Sequence, residues 1–191
     1  MLNDSERDLF YTIFFNLVWH INKKHRIVRQ RPKPTLTDLK APLEEFMEVR
    51  DAMWENPAWI DEFLGDGASG TETDEQREII ADWRARFIKD TFYVVKHTAK
   101  HTIVMMRREP VKLYAVTGIS NHISLSNPSK LPFLLEMILL PFKGKIIYDS
   151  LLRSYNVSLG KGIIANLKIE YKESKKEFGI IHSLDTDPTK A

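Results

Sequence analysis

The chain has 191 residues, 43% of them hydrophobic and 28% charged, with a formal net charge of +2 and no cysteine. That length and apolar content support one packed core without a disulfide or metal staple. The lack of cysteine excludes thiol nucleophiles, CxxC redox chemistry, thiolate zinc sites and cysteine-held iron–sulfur clusters, and is compatible with a reducing cytoplasm.

Charge is segregated along the chain: residues 1–40 carry 8 Lys+Arg against 4 Asp+Glu, residues 41–82 carry 2 against 13, and residues 83–191 carry 18 against 9. An acidic block between two basic ones implies either internal complementarity or two surfaces of opposite sign. The acidic start, with Asp4, Glu6 and Asp8, has the wrong charge for a secretory or transit peptide. The longest apolar runs, Leu9 to Ile21 and Leu131 to Phe142, fall short of the about 20 residues of a spanning helix and are interrupted by Asn16 and Glu136. The expected setting is cytoplasmic, without a membrane partner.

Asn3 and Glu6 form a capping-box pattern that starts a helix running to about Lys23. Leu9, Phe10, Ile13, Phe14, Leu17, Val18 and Ile21 make its apolar stripe, and Tyr11, Phe15 and Trp19 lie off it, so this helix is a candidate contact for a second copy or a protein partner. Pro32 and Pro34 stiffen the basic connection that follows. Thr35 or Thr37 then offers a cap, and Pro42 fits the first turn of a helix bearing Leu43, Phe46, Met47, Arg50, Met53 and Trp54. Asn56 caps a short helix with Trp59, Ile60, Phe63 and Leu64. After the small, polar stretch Gly65 to Thr71, Thr73 and Gln76 form a second capping box before Ile79, Ile80, Trp83 and Phe87.

From Phe92 the pattern changes to short β-branched and aromatic runs, predicting strands at 92–96, 102–106, 112–117, 134–140 and 145–149. Short connections predict antiparallel pairing. A last helix over 161–178 ends at Gly179, and the chain from Asp185 is a loose tail. The fold class expected is α+β: amino-terminal helices packed on a curved antiparallel meander, with a small, partly closed barrel as a variant, and a carboxy-terminal helix. The organisation is a single domain over 1–184, helical over 1–88, β over 92–149, closed by 160–184, with 185–191 outside it.

Several residue groups carry chemistry that can be weighed. Lys23, Lys24, Arg26, Arg29, Arg31 and Lys33, beside Trp19 and His25, have the composition that neutralises phosphates. The competing reading lays this segment on the acidic helix face of Glu44, Glu48, Asp51 and Glu55. Gly160, Lys161 and Gly162 precede a helix, where free amides and an ammonium attract anions; a turn that needs glycine dihedrals is the plainer account. Lys143, Lys145, Tyr148 and Asp149 surround a turn and a strand end, the plainer account being a tight hairpin shaped by Pro141 and Gly144. His97 and His101 flank a hairpin loop but lack a third metal ligand, and His20 and His25 lack an acidic partner in sequence reach. Gly65 to Gly70 match GxGxxG without the preceding strand that a dinucleotide site requires.

The run Leu139-Leu140-Pro141-Phe142-Lys143-Gly144-Lys145-Ile146-Ile147-Tyr148-Asp149, with Phe92 to His97, Leu113 to Ile119, Tyr155-Asn156-Val157 and the closing helix to Ile181, resembles an uncharacterised bacterial protein family. The resemblance implies common ancestry over roughly the last 110 residues and no activity. Where relatives would have glycine after Asp149, this chain has Ser150.

No residue receives a catalytic role, and no cofactor or metal is expected. The reading leans away from an enzyme, towards a binding or protein-interaction module. Nucleic-acid binding through 23–33, or an unrecognised enzyme acting on an anionic substrate, are the alternatives.

Overall fold

The structure, a computed structural model, describes residues 1–29, 43–65, 72–120, 123, 131–155 and 157–186. Among them the chain runs α1 (Asp4–His25), α2 (Leu43–Glu55), α3 (Ala58–Gly65), α4 (Asp74–Arg86), β1 (Ile88–His97), β2 (Thr102–Met106), β3 (Leu113–Val116), β4 (Phe133–Phe142), β5 (Lys145–Tyr148), β6 (Arg153–Ser154) and α5 (Lys161–Glu177). The class is α+β, with a carboxy-terminal helix and a largely antiparallel sheet closed into a barrel. No described helix is long and apolar enough to cross a membrane. Two compact units form: Asn3–Ala85, and Arg86–Ala191 together with Met1–Leu2.

The helical unit starts on the predicted capping box, with the Glu6 amide donating to Asn3 Oδ1 at 2.8 Å and the Asn3 amide to Glu6 Oε2 at 3.1 Å. Two orphan amides are thereby satisfied. Of the stripe, Phe10, Ile13, Phe14, Leu17, Val18 and Ile21 are buried and Leu9 is half-buried. Tyr11, Phe15 and Trp19 are half-buried; Phe15 stacks on Tyr11 at 5.6 Å and meets Phe46 edge-on at 5.5 Å. Asn56 bonds backwards, its side-chain amide donating to the Ala52 carbonyl at 2.9 Å, so it finishes α2 rather than capping α3. The second capping box is present at Thr73 and Gln76, at 3.0 and 3.3 Å. The caps expected at Thr35 or Thr37, Pro42, and the GxGxxG string beyond Gly65 lie outside the described residues.

The second unit is a barrel of strand order β1-β2-β3-β5-β4, closed by β1–β4 pairing, with β6 added to β4. The meander runs through β1, β2 and β3 and resumes in the β4–β5 hairpin; a parallel contact, Val116 beside Ile146, joins the two halves. Phe92, Val94, Val104 and Tyr114 share one face by register and are fully or almost fully buried, Phe92 meeting Tyr114 edge-on at 6.2 Å. The other face of β1–β3 presents Tyr93, Val95, Ile103, Met105, Leu113 and Ala115, which pack with Leu167 and Tyr171 of α5.

Pro141 was expected in the β4–β5 turn; it lies in β4 opposite Ile146, and the turn is Lys143–Gly144 alone. Both turn residues have positive φ, 50° and 72°, the conformation whose twist suits a two-residue hairpin. Gly179 takes φ 74° just past the end of α5, as predicted for a cap.

Candidate functional site

The site grows out of one irregularity in β1. Val94 pairs with Val104 and Lys96 with Ile103, which leaves Val95 as an extra residue in that strand. A bulge of this kind breaks the alternation of faces, so Val95 and Lys96 both turn towards the α5 side. On its other edge β1 parts from β4 after the pair Val94–Phe133. The next residue of β4's approach is Pro132, which has no amide hydrogen to continue the ladder.

A groove of about 430 Å³ opens where the two strands diverge, lined by Val95 and Lys96, by Leu131 and Pro132, and by Ile164, Leu167, Lys168, Tyr171 and Lys172 of α5. The five α5 residues fall at positions i, i+3, i+4, i+7 and i+8, one face of a helix. Leu167 is 5% exposed and forms the floor, while Val95, Ile164 and Tyr171 are half-buried and Lys96, Lys168 and Lys172 exposed. Among the described residues, none of the three lysines lies within ion-pair distance of a carboxylate. Three ammonium groups thus border an apolar trough.

The wider electrostatics agree. Residues 3–85 hold 11 Lys+Arg against 17 Asp+Glu, a net −6, and the remaining residues hold 17 against 9, a net +8. The groove therefore belongs to the cationic unit.

The basic run expected to meet phosphates begins in the anionic unit. Lys24 Nζ lies 3.0 Å from Glu62 Oε2, and His25 Nε2 lies 3.3 Å from the same oxygen while its ring stacks on Trp59 at 4.0 Å. Glu62, a carboxylate that meets this segment, is on α3, and sequence separation hid that partner. Lys23, Arg26 and Arg29 are exposed, Arg26 with φ 54° at the end of α1; Arg31 and Lys33 lie outside the described residues.

Gly160, Lys161 and Gly162 are exposed at the start of α5, and Gly160 caps it with an ordinary φ of −68°. Neither glycine has positive φ, so the turn does not depend on glycine dihedrals. Lys143 lies in the hairpin turn and Lys145 directly after it, whereas Tyr148 and Asp149 are buried at the far end of β5; the strand separates the two pairs. His97 Nδ1 lies 3.1 Å from Thr102 Oγ1, and His101 Nδ1 lies 3.3 Å from Thr117 Oγ1, its ring 5.5 Å from that of His182. Among the described residues no three His, Asp or Glu side chains gather closely enough to hold a metal ion.

Sequence reasoning missed Lys96, Lys168, Lys172 and Tyr171. The helical spacing of the last three was legible; the bulge that turns Lys96 towards them was not. No protein-family model, curated protein or solved structure matches the chain.

Proposed function

We propose that the protein is a cytoplasmic binding module whose barrel unit holds an anionic ligand with an apolar body in the groove between β1 and α5. The observation that carries this reading is the lining: Lys96, Lys168 and Lys172 border a trough of Val95, Leu131, Pro132, Ile164 and Leu167. Its volume suits a small-molecule-sized group. Its side chains attract charge and cover carbon, and they include no carboxylate or imidazole to serve as a general acid–base pair. The family sharing the LLPFKGKIIYD segment, and with it a bacterial setting, belongs to the same proposal.

The strand order, with β3 parallel to β5, is the connectivity of Greek-key barrels that bind oligonucleotides and oligosaccharides on the face of their second and third strands. That likeness of connectivity brings no activity by itself. Here the corresponding face is Ile103, Met105, Leu113 and Ala115, aliphatic and covered by α5. The flank of the helix is what stays open to a ligand.

Anilinonaphthalene sulfonate, an anion on an aromatic body, is a direct probe. The full chain should enhance its fluorescence, and K168E/K172E should remove most of that enhancement while the far-ultraviolet circular dichroism stays unchanged. Equal fluorescence from both proteins, or none from either, would refute the reading.

A further inference from the structure

Resting on that reading, we infer that the groove's ligand is single-stranded nucleic acid, lying along α5 with phosphates at Lys96, Lys168 and Lys172 and a base covering Tyr171. Four observations separate this class from a single-headed amphiphile such as a long-chain carboxylate.

The first is the distribution of charge. Lys168 and Lys172 stand one helical turn apart on one wall, and Lys96 stands on the other. A ligand with one anionic head uses one of these positions, whereas a polymer with a charge on every residue meets all three. The second is shape: the groove runs beside two turns of α5 from Ile164 to Lys172 as an open trough, so a chain can enter and leave along it. The third is the ring. Tyr171 is half-buried with its body against the cluster of Ile103, Met105, Leu113, Ala115 and Leu167, which leaves part of the aromatic side chain facing the trough. Bases stack on such rings whatever their sequence. The fourth is the net +8 of the unit that carries the groove, a field that draws polyanions and opposes cationic or neutral partners.

Duplexes are disfavoured by the same geometry, because a paired base offers no free face to Tyr171. The expected behaviour is binding with little sequence preference, strong salt dependence and a preference for single strands.

The experiment is fluorescence anisotropy of labelled single-stranded DNA and RNA on the full chain, at several salt concentrations, with a hairpin duplex and poly-glutamate as competitors. Three phosphate contacts give a slope of log K against log salt of about −2 from this groove. K96Q/K168Q/K172Q should reduce the slope by about that amount. Tyr171→Leu should weaken binding about tenfold or more, and Tyr171→Phe should leave it intact. The Leu variant keeps an apolar side chain on the cluster and so separates stacking from packing, while the Phe variant shows that the hydroxyl is not needed.

An unchanged slope in the triple variant would place oligonucleotide binding elsewhere and overturn the inference. So would competition by poly-glutamate as effective as by single strands, since charge alone would then suffice. If anilinonaphthalene sulfonate binds through the lysines and dodecanoate displaces it while oligonucleotides do not, the inference fails and the groove reading stands. If the sulfonate probe fails as well, both fall.

Discussion

Val94 and Phe133 are the last partners of the ladder between β1 and β4, and the groove begins at the residue that follows Val94 and the residue that precedes Phe133. On one side that residue is the bulged Val95, and on the other it is Pro132. A bulge and a missing amide hydrogen end the pairing together, and the gap that follows is lined by one face of α5. The recess is thus a consequence of backbone pairing, with side chains supplied afterwards.

Leu167 joins the helix to the barrel. It is 5% exposed and packs on Ile103, Met105, Leu113 and Ala115. Leu167→Ala should cost about 2–4 kcal/mol in the unfolding of the barrel unit, because the aliphatic contact is lost and the space left cannot fully collapse. Urea denaturation followed by circular dichroism checks this, and a loss below 1 kcal/mol would mean that α5 is held mainly by its ends.

Ser150 has φ 68°, a left-handed conformation that costs a residue with a Cβ about 1 kcal/mol relative to glycine. Ser150→Gly is therefore expected to raise stability by about 0.5–1 kcal/mol, the gain reduced by the greater freedom of glycine in the unfolded chain. Gly144, at φ 72°, gives the mirror test. Gly144→Ala should lower stability by about 1 kcal/mol although no atom lies within 4 Å of the added carbon. Thermal denaturation of both variants reads the two signs.

Tyr155 donates its hydroxyl hydrogen to Glu136 Oε2 at 2.8 Å. That bond, then partial burial and the carboxylate's charge, raises the phenol pKa above its ordinary 10.0. The folded state holds this proton more tightly, so the contribution to stability is complete below pH 10.0 and fades as pH climbs through the folded value. Titration of tyrosinate absorbance should show a late-titrating component, and Glu136→Gln should bring the midpoint of Tyr155 down. A tyrosine midpoint that Glu136→Gln leaves in place would contradict the assignment.

The two capping boxes should be worth similar amounts. Asn3→Ala and Thr73→Ala each remove an acceptor from an exposed helix start, and each should cost about 1 kcal/mol in the helical unit. Denaturant midpoints of the single and double variants test both the size and the additivity of sites that share no partner.

Much of this fold was readable in the residues because its signals are local. Asn3 with Glu6, Thr73 with Gln76, and Gly179 announce their roles within four positions, and the strand-forming runs after residue 87 carry β-branched and aromatic side chains. What stayed hidden depends on residues far apart. Nothing near Val116 indicates that it will lie parallel to Ile146, and no glycine or proline marks the bulge at Val95. The groove escaped notice for the same reason: Lys96 is separated from Lys168 by the whole barrel, and only pairing brings them to one trough. The basic run from Lys23, by contrast, was conspicuous as composition, while its partner Glu62 sits beyond the connection and α2.

Ile181 pairs beside Tyr114, accepting from the Ala115 amide at 2.9 Å and donating to the Leu113 carbonyl at 2.8 Å. The lower half of β3 therefore takes its outer edge from the segment that ends α5. Whenever that segment peels away, the Ala115 amide is left to solvent, and its hydrogen exchange becomes a built-in clock for how often the helix lifts from the barrel.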